Sequence, residues 1–162
     1  MALTKYIIFM LGEQKYSMRL SKINGIEQLY NVVPVPVGAP FIKGIIHLRN
    51  EIIPIYDLKE RFRIEGEPEI CNKQLLVSET HNLKLAFEVD DMVGIYAIEE
   101  EDVKSVPPVV KSEETGYLES VIKVDFPDTN TSEIIICVSV DKLMSENEFA
   151  NVSEALEQTN LE

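Results

Sequence analysis

Short apolar runs that end in turn-forming residues follow one another along most of this chain, and this pattern restricts the fold more than any other feature. The first two runs, KYIIFML and KYSMRL, flank Gly-Glu-Gln and predict a hairpin whose turn is supplied by Gly12. About nine such runs occur along the chain, a spacing typical of an all-β barrel or sandwich. We therefore expect an all-β fold with short helical turns only.

Two short helical segments are predicted between or after the strands. Asp57 precedes LKERF and is followed three residues later by Glu60, the spacing of a helix-capping carboxylate. Asp141 is expected to cap a last short helix in the same way. The acidic and weakly apolar residues 146–162 are expected to form either a frayed tail or an amphipathic segment. The amphipathic alternative would use Val152, Leu156 and Leu161.

Segments rich in proline and valine occur in both halves of the chain. Pro34, Pro36 and Pro40 lie in NVVPVPVGAP, where fixed φ angles and missing N–H donors favour an extended edge strand or a loop. SVPPVV repeats this combination in the second half. The repetition favours two similar β units.

The size and charge of the chain limit its partners. It has 162 residues, 45% of them hydrophobic, which suits one domain with its own core. Its formal net charge of −13 disfavours nucleic acids and anionic lipid surfaces, because phosphate groups are bound by clustered cations. The apolar run Tyr6–Leu11 is too short for a signal sequence or a membrane span. We therefore expect a cytoplasmic protein without direct membrane insertion.

Residue types that carry out catalysis or bind metals are few. The chain has two cysteines without a CxxC pairing, which we interpret as reduced thiols. His81 lies in a polar turn, and His47 lies on one face of a strand, where an exposed or interface histidine is the usual explanation. The acidic groups, Asp90 and Asp91 among them, are interpreted as solvated charge at strand ends and loops. Phosphate-binding and nucleophile motifs are absent, so we expect no catalytic residue, no metal site and no cofactor.

A predicted hairpin within residues 44–62, GIIHLRNEIIPIYDLKERF, has Arg-Asn-Glu between its two apolar runs. The second run, with Ile52, Ile53 and Ile55, is apolar at successive positions and therefore on both faces of a strand. Such a strand is either buried between two halves of one domain or presents one face to a partner. An Arg beside an apolar face is a common composition for a protein interface.

The same region, PFIKGIIHLRNEIIPIYDLKERF, resembles the signature of the CheW domain, a coupling module of bacterial chemotaxis. The family pattern has an apolar-Lys-Gly start, Asn-Leu-Arg-Gly, an apolar run with a Pro, and Asp-Leu-Arg. The matching positions are Pro40, Phe41, Ile42, Gly44, Leu48, Arg49, Pro54, Asp57, Leu58 and Phe62. Further matches are Phe9, Gly12, Tyr16, Ile23 and Ile26 upstream, and Val89, Asp90 and Val93 downstream.

The resemblance implies an all-β fold of two small five-stranded SH3-like barrels around a shared hydrophobic core. Residues 5–145 would form a single CheW-like domain. Its two barrel subdomains would span about 15–85 and about 86–145, the second together with the first strand. Residues 146–162 would form an acidic C-terminal tail.

The resemblance also implies a function. A protein of this family is a non-catalytic adaptor that couples chemoreceptors, the methyl-accepting chemotaxis proteins, to the histidine kinase CheA. It would pack barrel to barrel against the regulatory domain of the kinase and hold the cytoplasmic receptor tip in a groove between its barrels. It would be cytoplasmic and recruited to membrane-associated receptor arrays. The alternatives are a scaffold for a non-chemotaxis receptor–kinase pathway and, from a different class, a small-molecule sensor domain.

The resemblance assigns two contact surfaces. The expected receptor-binding residues are Ile23, Gly25, Ile26, Lys43 and Arg49, and the expected kinase-binding residues are Asn50, Glu51 and Ile52. Arg49 is expected to serve either the shared core or the receptor side. Asn50 replaces a family Gly, and Asn tolerates positive φ better than other non-Gly residues. Gly25 replaces a family Glu near the receptor side, although Glu27 is nearby.

Overall fold

The computed structural model describes residues 2–28, 30–34, 41–110 and 115–160. Within these ranges the chain is built mostly from strands, and two helices are present. The first half contains β1 (Leu3–Leu11), β2 (Gln14–Arg19), β3 (Ile23–Glu27), β4 (Val33–Pro34), β5 (Ile42–Leu48), β6 (Glu51–Tyr56) and α1 (Leu58–Phe62). The second half contains β7 (Gln74–Thr80), β8 (Leu83–Val89), β9 (Asp91–Glu99), β10 (Val103–Ser105), β11 (Leu118–Phe126), β12 (Thr131–Val138) and α2 (Glu146–Asn160).

The strands form two six-stranded sheets with the same internal plan. Sheet 1 has the order β10-β11-β12-β2-β1-β9, and sheet 2 has the order β3-β7-β8-β6-β5-β4. Each sheet joins two antiparallel hairpins through one parallel pair, β12 with β2 and β8 with β6. In each sheet a 3₁₀ turn precedes the short strand at one edge, β10 or β3. The expectation of two similar β units is therefore confirmed.

The boundary between the two units differs from the expected one. Because a tight hairpin joins β1 to β2, residues 14–19 lie in sheet 1 with the first strand and not in the unit expected to begin near residue 15. Sheet 2 continues to the end of β8 at Val89. Each sheet also has one very short edge strand beyond the five expected, β4 with two residues and β10 with three. Pro34 lies in edge strand β4 as predicted, whereas Pro36 and Pro40 lie outside the described residues.

A shared hydrophobic core lies between the sheets, and each sheet also encloses a smaller cluster of its own. Strand β1 contributes side chains to the shared core and to the cluster inside sheet 1, because neighbouring side chains on a strand point to opposite faces. Ile7, Phe9 and Leu11 lie in the shared core, while Tyr6 and Ile8 lie in the cluster inside sheet 1. This arrangement explains why the first run is apolar at successive positions. The cluster inside sheet 2 consists of Ile46, Ile53, Ile55, Leu75, Val77 and Ala86.

Asp90 is buried at the junction between the sheets, so its interpretation as solvated charge is wrong. It stands between β8 of sheet 2 and β9 of sheet 1, where its carboxylate accepts a hydrogen bond from the Gly12 N–H at 2.7 Å. The ammonium of Lys59, on α1, lies 2.9 Å from the same oxygen, Oδ2. A buried charge requires a charged or hydrogen-bonding partner, and Asp90 has both. Its carboxylate therefore ties the β1–β2 turn to α1.

Gly12 is predicted to be sensitive to a single added methyl group. Its φ is +61°, and a Cβ there would lie 2.7 Å from Cγ2 of Ile64. Gly12→Ala should therefore lower the free energy of unfolding by about 2 kcal/mol, part from backbone strain and part from overpacking. The matched control is Gly66→Ala, since Gly66 has φ +87° but open space around the Cβ position. Equal losses for both variants in urea unfolding would contradict the packing contribution.

The predicted start of α1 is confirmed. Oδ1 of Asp57 accepts a hydrogen bond from the Glu60 N–H at 3.1 Å, so the carboxylate satisfies one of the unpaired donors of the first turn. The helix ends at Arg63, which has the left-handed φ of 58°. Helix α1 thus begins directly after β6, with Asp57 as the single residue between them.

The prediction that Asp141 caps the last helix is wrong. Asp141 lies in a 3₁₀ turn, and its carboxylate is hydrogen-bonded by Thr80 and paired with Lys22 at 2.8 Å. Helix α2 begins after Ser145 instead. Oγ of Ser145 accepts from the Glu148 N–H at 3.2 Å, and Oε1 of Glu148 accepts from the Ser145 N–H at 2.9 Å. This reciprocal pair is a capping box.

Helix α2 has 15 residues and is therefore longer than the short helical turns that we expected. Phe149 and Val152 are buried in the shared core, which explains its length, because most helical stability comes from packing an apolar face. The use of Val152 agrees with the amphipathic alternative. The side chain of Leu156 and all of Leu161 lie outside the described residues. Within the described ranges, neither α1 nor α2 is long and apolar enough to cross a membrane.

Candidate functional site

The β5–β6 hairpin ends in a two-residue turn, Arg49-Asn50, in which both residues have positive φ. The angles are 49° for Arg49 and 68° for Asn50, the combination required by the tight turn that matches strand twist. Asn50 thus adopts the positive φ that Asn tolerates better than other non-Gly residues. Holding Arg49 in the left-handed region costs about 1–2 kcal/mol. The turn fixes the position of this side chain relative to the hairpin.

Arg49 points into solvent and does not enter the shared core, so the first of its two expected roles is wrong. Its side chain is 84% exposed, and its Nη2 lies 3.5 Å from Oε1 of Glu27 on β3. Exposed ion pairs of this kind contribute about 0–1 kcal/mol, because water screens the charges. The guanidinium is therefore held near Glu27 while most of its donors remain accessible.

Glu27 places a carboxylate on the same strand as Gly25, the position where the family has Glu. Residues 25 and 27 are two apart on β3, so their side-chain positions lie on the same face of the strand. Nothing lies within 4 Å of the Cβ position of Gly25, which leaves open space beside the pair. The carboxylate that faces the hairpin tip thus belongs to Glu27, two positions after Gly25 on β3.

A shallow cavity of about 100 Å³ lies beneath the hairpin tip. Gly25 and Arg49, two of the expected receptor-binding residues, line it together with Glu51, an expected kinase-binding residue. Oε2 of Glu51 lies 2.8 Å from Nζ of Lys84 on β8. Glu51 lies on the same face of β6 as Ile53, the face that points to the interior of sheet 2. Its side chain is therefore directed toward the cavity that Arg49 also lines.

A bulge between Ile23 and Gly25 places Ile23 and Ile26 on the face of β3 opposite to Gly25. Ile23 packs against the shared core, and Ile26 lies opposite Leu76, which is a member of that core. Ile26 remains 39% exposed. These two side chains therefore form an apolar border where the shared core reaches the surface.

Lys43 is not brought together with Arg49. It lies near the start of β5, and Arg49 directly follows the end of that strand, six residues later, which corresponds to about 20 Å along a strand. Its Nζ lies 2.5 Å from Oε1 of Glu88, and Oε2 of Glu88 accepts a hydrogen bond from the Tyr30 hydroxyl at 2.6 Å. Burial raises the pKa of Glu88, but Lys43 and Tyr30 outweigh it and hold that pKa below its ordinary value. Lys43 thus neutralises a partly buried carboxylate on β8.

Ile52 lies on the outer face of sheet 2. Its neighbour Ile53 is 2% exposed and belongs to the interior cluster, so Ile52 points away from it. Its cross-strand partner is the exposed His47. On the same face Ile45 pairs with Pro54 and with Val33, whose side chain is 56% exposed. We call this surface the outer apolar face; its members are Val33, Ile45, His47 and Ile52.

The match to known proteins covers nearly the whole chain. The model of the CheW-like domain matches residues 5–148. The chain belongs to the CheW-like domain family. Among its relatives, the chemotaxis protein CheW of Treponema pallidum is 28% identical over 151 residues, which are 91% of this chain and 85% of the other. The chemotaxis protein CheW of Klebsiella aerogenes is 26% identical over 91% of this chain and 86% of its own.

A solved relative supports the same fold. The scaffolding protein TtCheW from Thermoanaerobacter tengcongensis superposes with a TM-score of 0.75 at 26% identity, covering 91% of this chain and 92% of the other. The two sheets are accordingly the two SH3-like barrels expected for the family. The chain is a coupling adaptor of chemotaxis, as the family and its scaffold relatives indicate.

Two residues around the CheW-like hairpin, Lys84 and Val33, were not predicted from the sequence. Lys84 reaches Glu51 across 33 residues of chain, and sequence spacing gives no signal for such a pair. Val33 and Ile45 join the outer apolar face through strand pairing. The position of Ile45 beside His47, on the face opposite the buried Ile46, agrees with the alternation of the sequence.

Proposed function

We propose that this chain joins the cytoplasmic tip of chemoreceptors to the regulatory domain of the histidine kinase CheA, with one partner on each side of the β5–β6 hairpin. The observation that carries this proposal is that Arg49 and Ile52, three positions apart, lie on different surfaces of the hairpin. Arg49 projects at the tip beside Glu27, whereas Ile52 lies on the outer apolar face. One rigid hairpin thus offers two chemically different surfaces.

The kinase side is assigned to the outer apolar face. Val33 is 56% exposed, while Ile45 and Ile52 are partly exposed, on a sheet that already has a filled interior. A partner would remove the remaining apolar area from water. A barrel of the same fold has a matching sheet surface to offer. Asn50 and Glu51 border this face at the turn, with Glu51 directed toward the cavity and neutralised by Lys84.

The receptor side is assigned to the opposite side of the hairpin and to β3. Arg49 and Glu27 would contact polar groups of a helical receptor tip, and Gly25 leaves room for a helix to approach. Ile23 and Ile26 lie on the other face of β3, which is an edge strand, so an amphipathic helix that reaches around this edge can pack one face against them. In this proposal Lys43 supports the strand through Glu88 and does not contact the receptor itself.

The proposed function requires no chemical step. The chain would act by holding two partners together, without a catalytic residue, a metal ion or a cofactor. Its place would be the cytoplasm, at membrane-associated receptor arrays, where both partners are present.

Arg49→Ala is expected to weaken binding to an immobilised receptor-tip fragment about tenfold or more, while leaving binding to the kinase regulatory domain unchanged. Arg49→Lys should restore binding only in part, because Lys lacks the planar fork of donors. The unfolding free energy should fall by less than about 1 kcal/mol, since the Arg49–Glu27 pair is exposed. Surface plasmon resonance with each partner separately measures both affinities.

The matched control is Arg63→Ala. Arg63 is another exposed arginine with left-handed φ, 58°, but it lies at the end of α1. It should leave receptor binding unchanged, which separates the contact made by Arg49 from a general loss of positive charge. Normal receptor binding by folded Arg49→Ala would remove the receptor surface from this side of the hairpin.

A further inference from the structure

His47 occupies a central position on the outer apolar face. It is the cross-strand partner of Ile52, and cross-strand partners on one face have Cβ atoms about 5 Å apart. Ile45 lies on the same face two residues earlier on β5. A partner that covers Ile52 must therefore also cover the imidazole of His47. The family pattern has Asn before Leu-Arg at this point, so the titratable side chain is a feature of this chain.

We propose that His47 is a contact residue of the kinase-binding surface and links binding to protonation, so that the neutral imidazole binds tightly and the imidazolium binds weakly. This inference rests on the proposed kinase surface. In the free protein the side chain of His47 is exposed to water. When an apolar partner removes that water, the charged state loses more free energy than the neutral one.

The charged groups around His47 do not compensate for this loss. On β6, Glu51 points to the opposite face of the sheet and is paired with Lys84. On β5, Lys43 is held by Glu88, and Arg49 at the tip is a cation, which disfavours a second positive charge nearby. The described residues of β4, Val33–Pro34, have no charged side chain. Helix α2 also contacts β6, and its Glu148 acts on the hydroxyl of Tyr56, the last residue of β6. Among the described residues of β4, β5 and β6, no carboxylate faces the imidazole.

The test measures the affinity of the kinase regulatory domain by isothermal titration calorimetry at about pH 7.5 and about pH 5.5. Histidine side chains change charge near pH 6.5, so the dissociation constant of the unmodified chain should rise about fivefold at the lower pH. His47→Gln cannot be protonated, and its dissociation constant should change by less than about twofold beyond any titration of the kinase itself.

His81→Gln is the matched control, because His81 is the other histidine of the chain. It lies in the β7–β8 turn, stacks on Phe149 and contacts the carbonyl oxygen of Asp141 at 3.2 Å. This variant should keep the full pH dependence of the unmodified chain. A flat pH profile for the unmodified chain, or an unchanged profile for His47→Gln, would overturn the inference. Absence of binding at about pH 7.5 would overturn the kinase surface itself, which is a different result from a flat profile.

Discussion

Ile52→Asp is expected to abolish binding to the kinase regulatory domain while leaving the melting temperature nearly unchanged. Truncating an interface anchor costs about 2 kcal/mol or more, and burying an unpaired carboxylate under the partner adds to that loss. Together these effects correspond to a fall in affinity of about a hundredfold or more. In the free protein the new carboxylate would lie on the outer apolar face, where water can reach it.

Ile53→Asp provides the matched control for this prediction. Ile53 is the next residue on β6, but it is 2% exposed and lies in the cluster inside sheet 2. A carboxylate at that position has no charged partner in the cluster, so the variant should fail to fold. Circular dichroism melting curves and titrations with the kinase domain should be recorded for both variants. If Ile52→Asp melts as poorly as Ile53→Asp, Ile52 belongs to the core and the kinase surface lies elsewhere.

The second large effect is expected for Asp90. Asp90→Ala leaves the Gly12 N–H and the Lys59 ammonium without their shared buried carboxylate, at the point where the two sheets meet. Breaking a buried pair by removing one partner costs about 3–5 kcal/mol, and the lower end applies here because Lys59 is partly exposed. Asp90→Asn keeps an oxygen for the Gly12 N–H and should recover part of this loss.

The neighbouring residue offers a control for the charge itself. Asp91 is only partly buried and makes no ion pair with any described residue. Asp91→Ala should change the free energy of unfolding by less than about 0.5 kcal/mol in urea. Similar losses at positions 90 and 91 would contradict the role assigned to the buried carboxylate, because both variants remove one negative charge from the same junction.

The features that the sequence predicted are those set by residues close together in the chain. The turn at Gly12, the Asp57 cap of α1 and the tight turn at Asn50 each depend on four or five consecutive residues. The apolar face and the charged tip of the β5–β6 hairpin could be predicted as well, because they also depend on residues close together in the chain. These local signals were sufficient for the all-β fold and for the position of the hairpin.

The features that were missed depend on contacts between distant residues. Asp90 is 78 residues from Gly12, and spacing alone made it look like a solvated charge at a strand end. The pairing of Lys43 with Glu88, which β8 brings within 2.5 Å of it, likewise could not be predicted from spacing along the chain. Helix α2 is weakly apolar in sequence, and its stability comes from Phe149 and Val152 packing into a core that the sheets create.

Co-sedimentation measures whether this chain bridges receptor and kinase through two sides of one hairpin. Receptor-containing vesicles are mixed with the kinase, with or without this chain, and the kinase in the pellet is measured. We expect the unmodified chain to bring the kinase into the pellet. Arg49→Ala and Ile52→Asp should each fail to do so, although the first still binds the kinase domain and the second still binds the receptor fragment. Equal amounts of kinase in the pellet with and without the unmodified chain would show that the chain does not bridge the two partners.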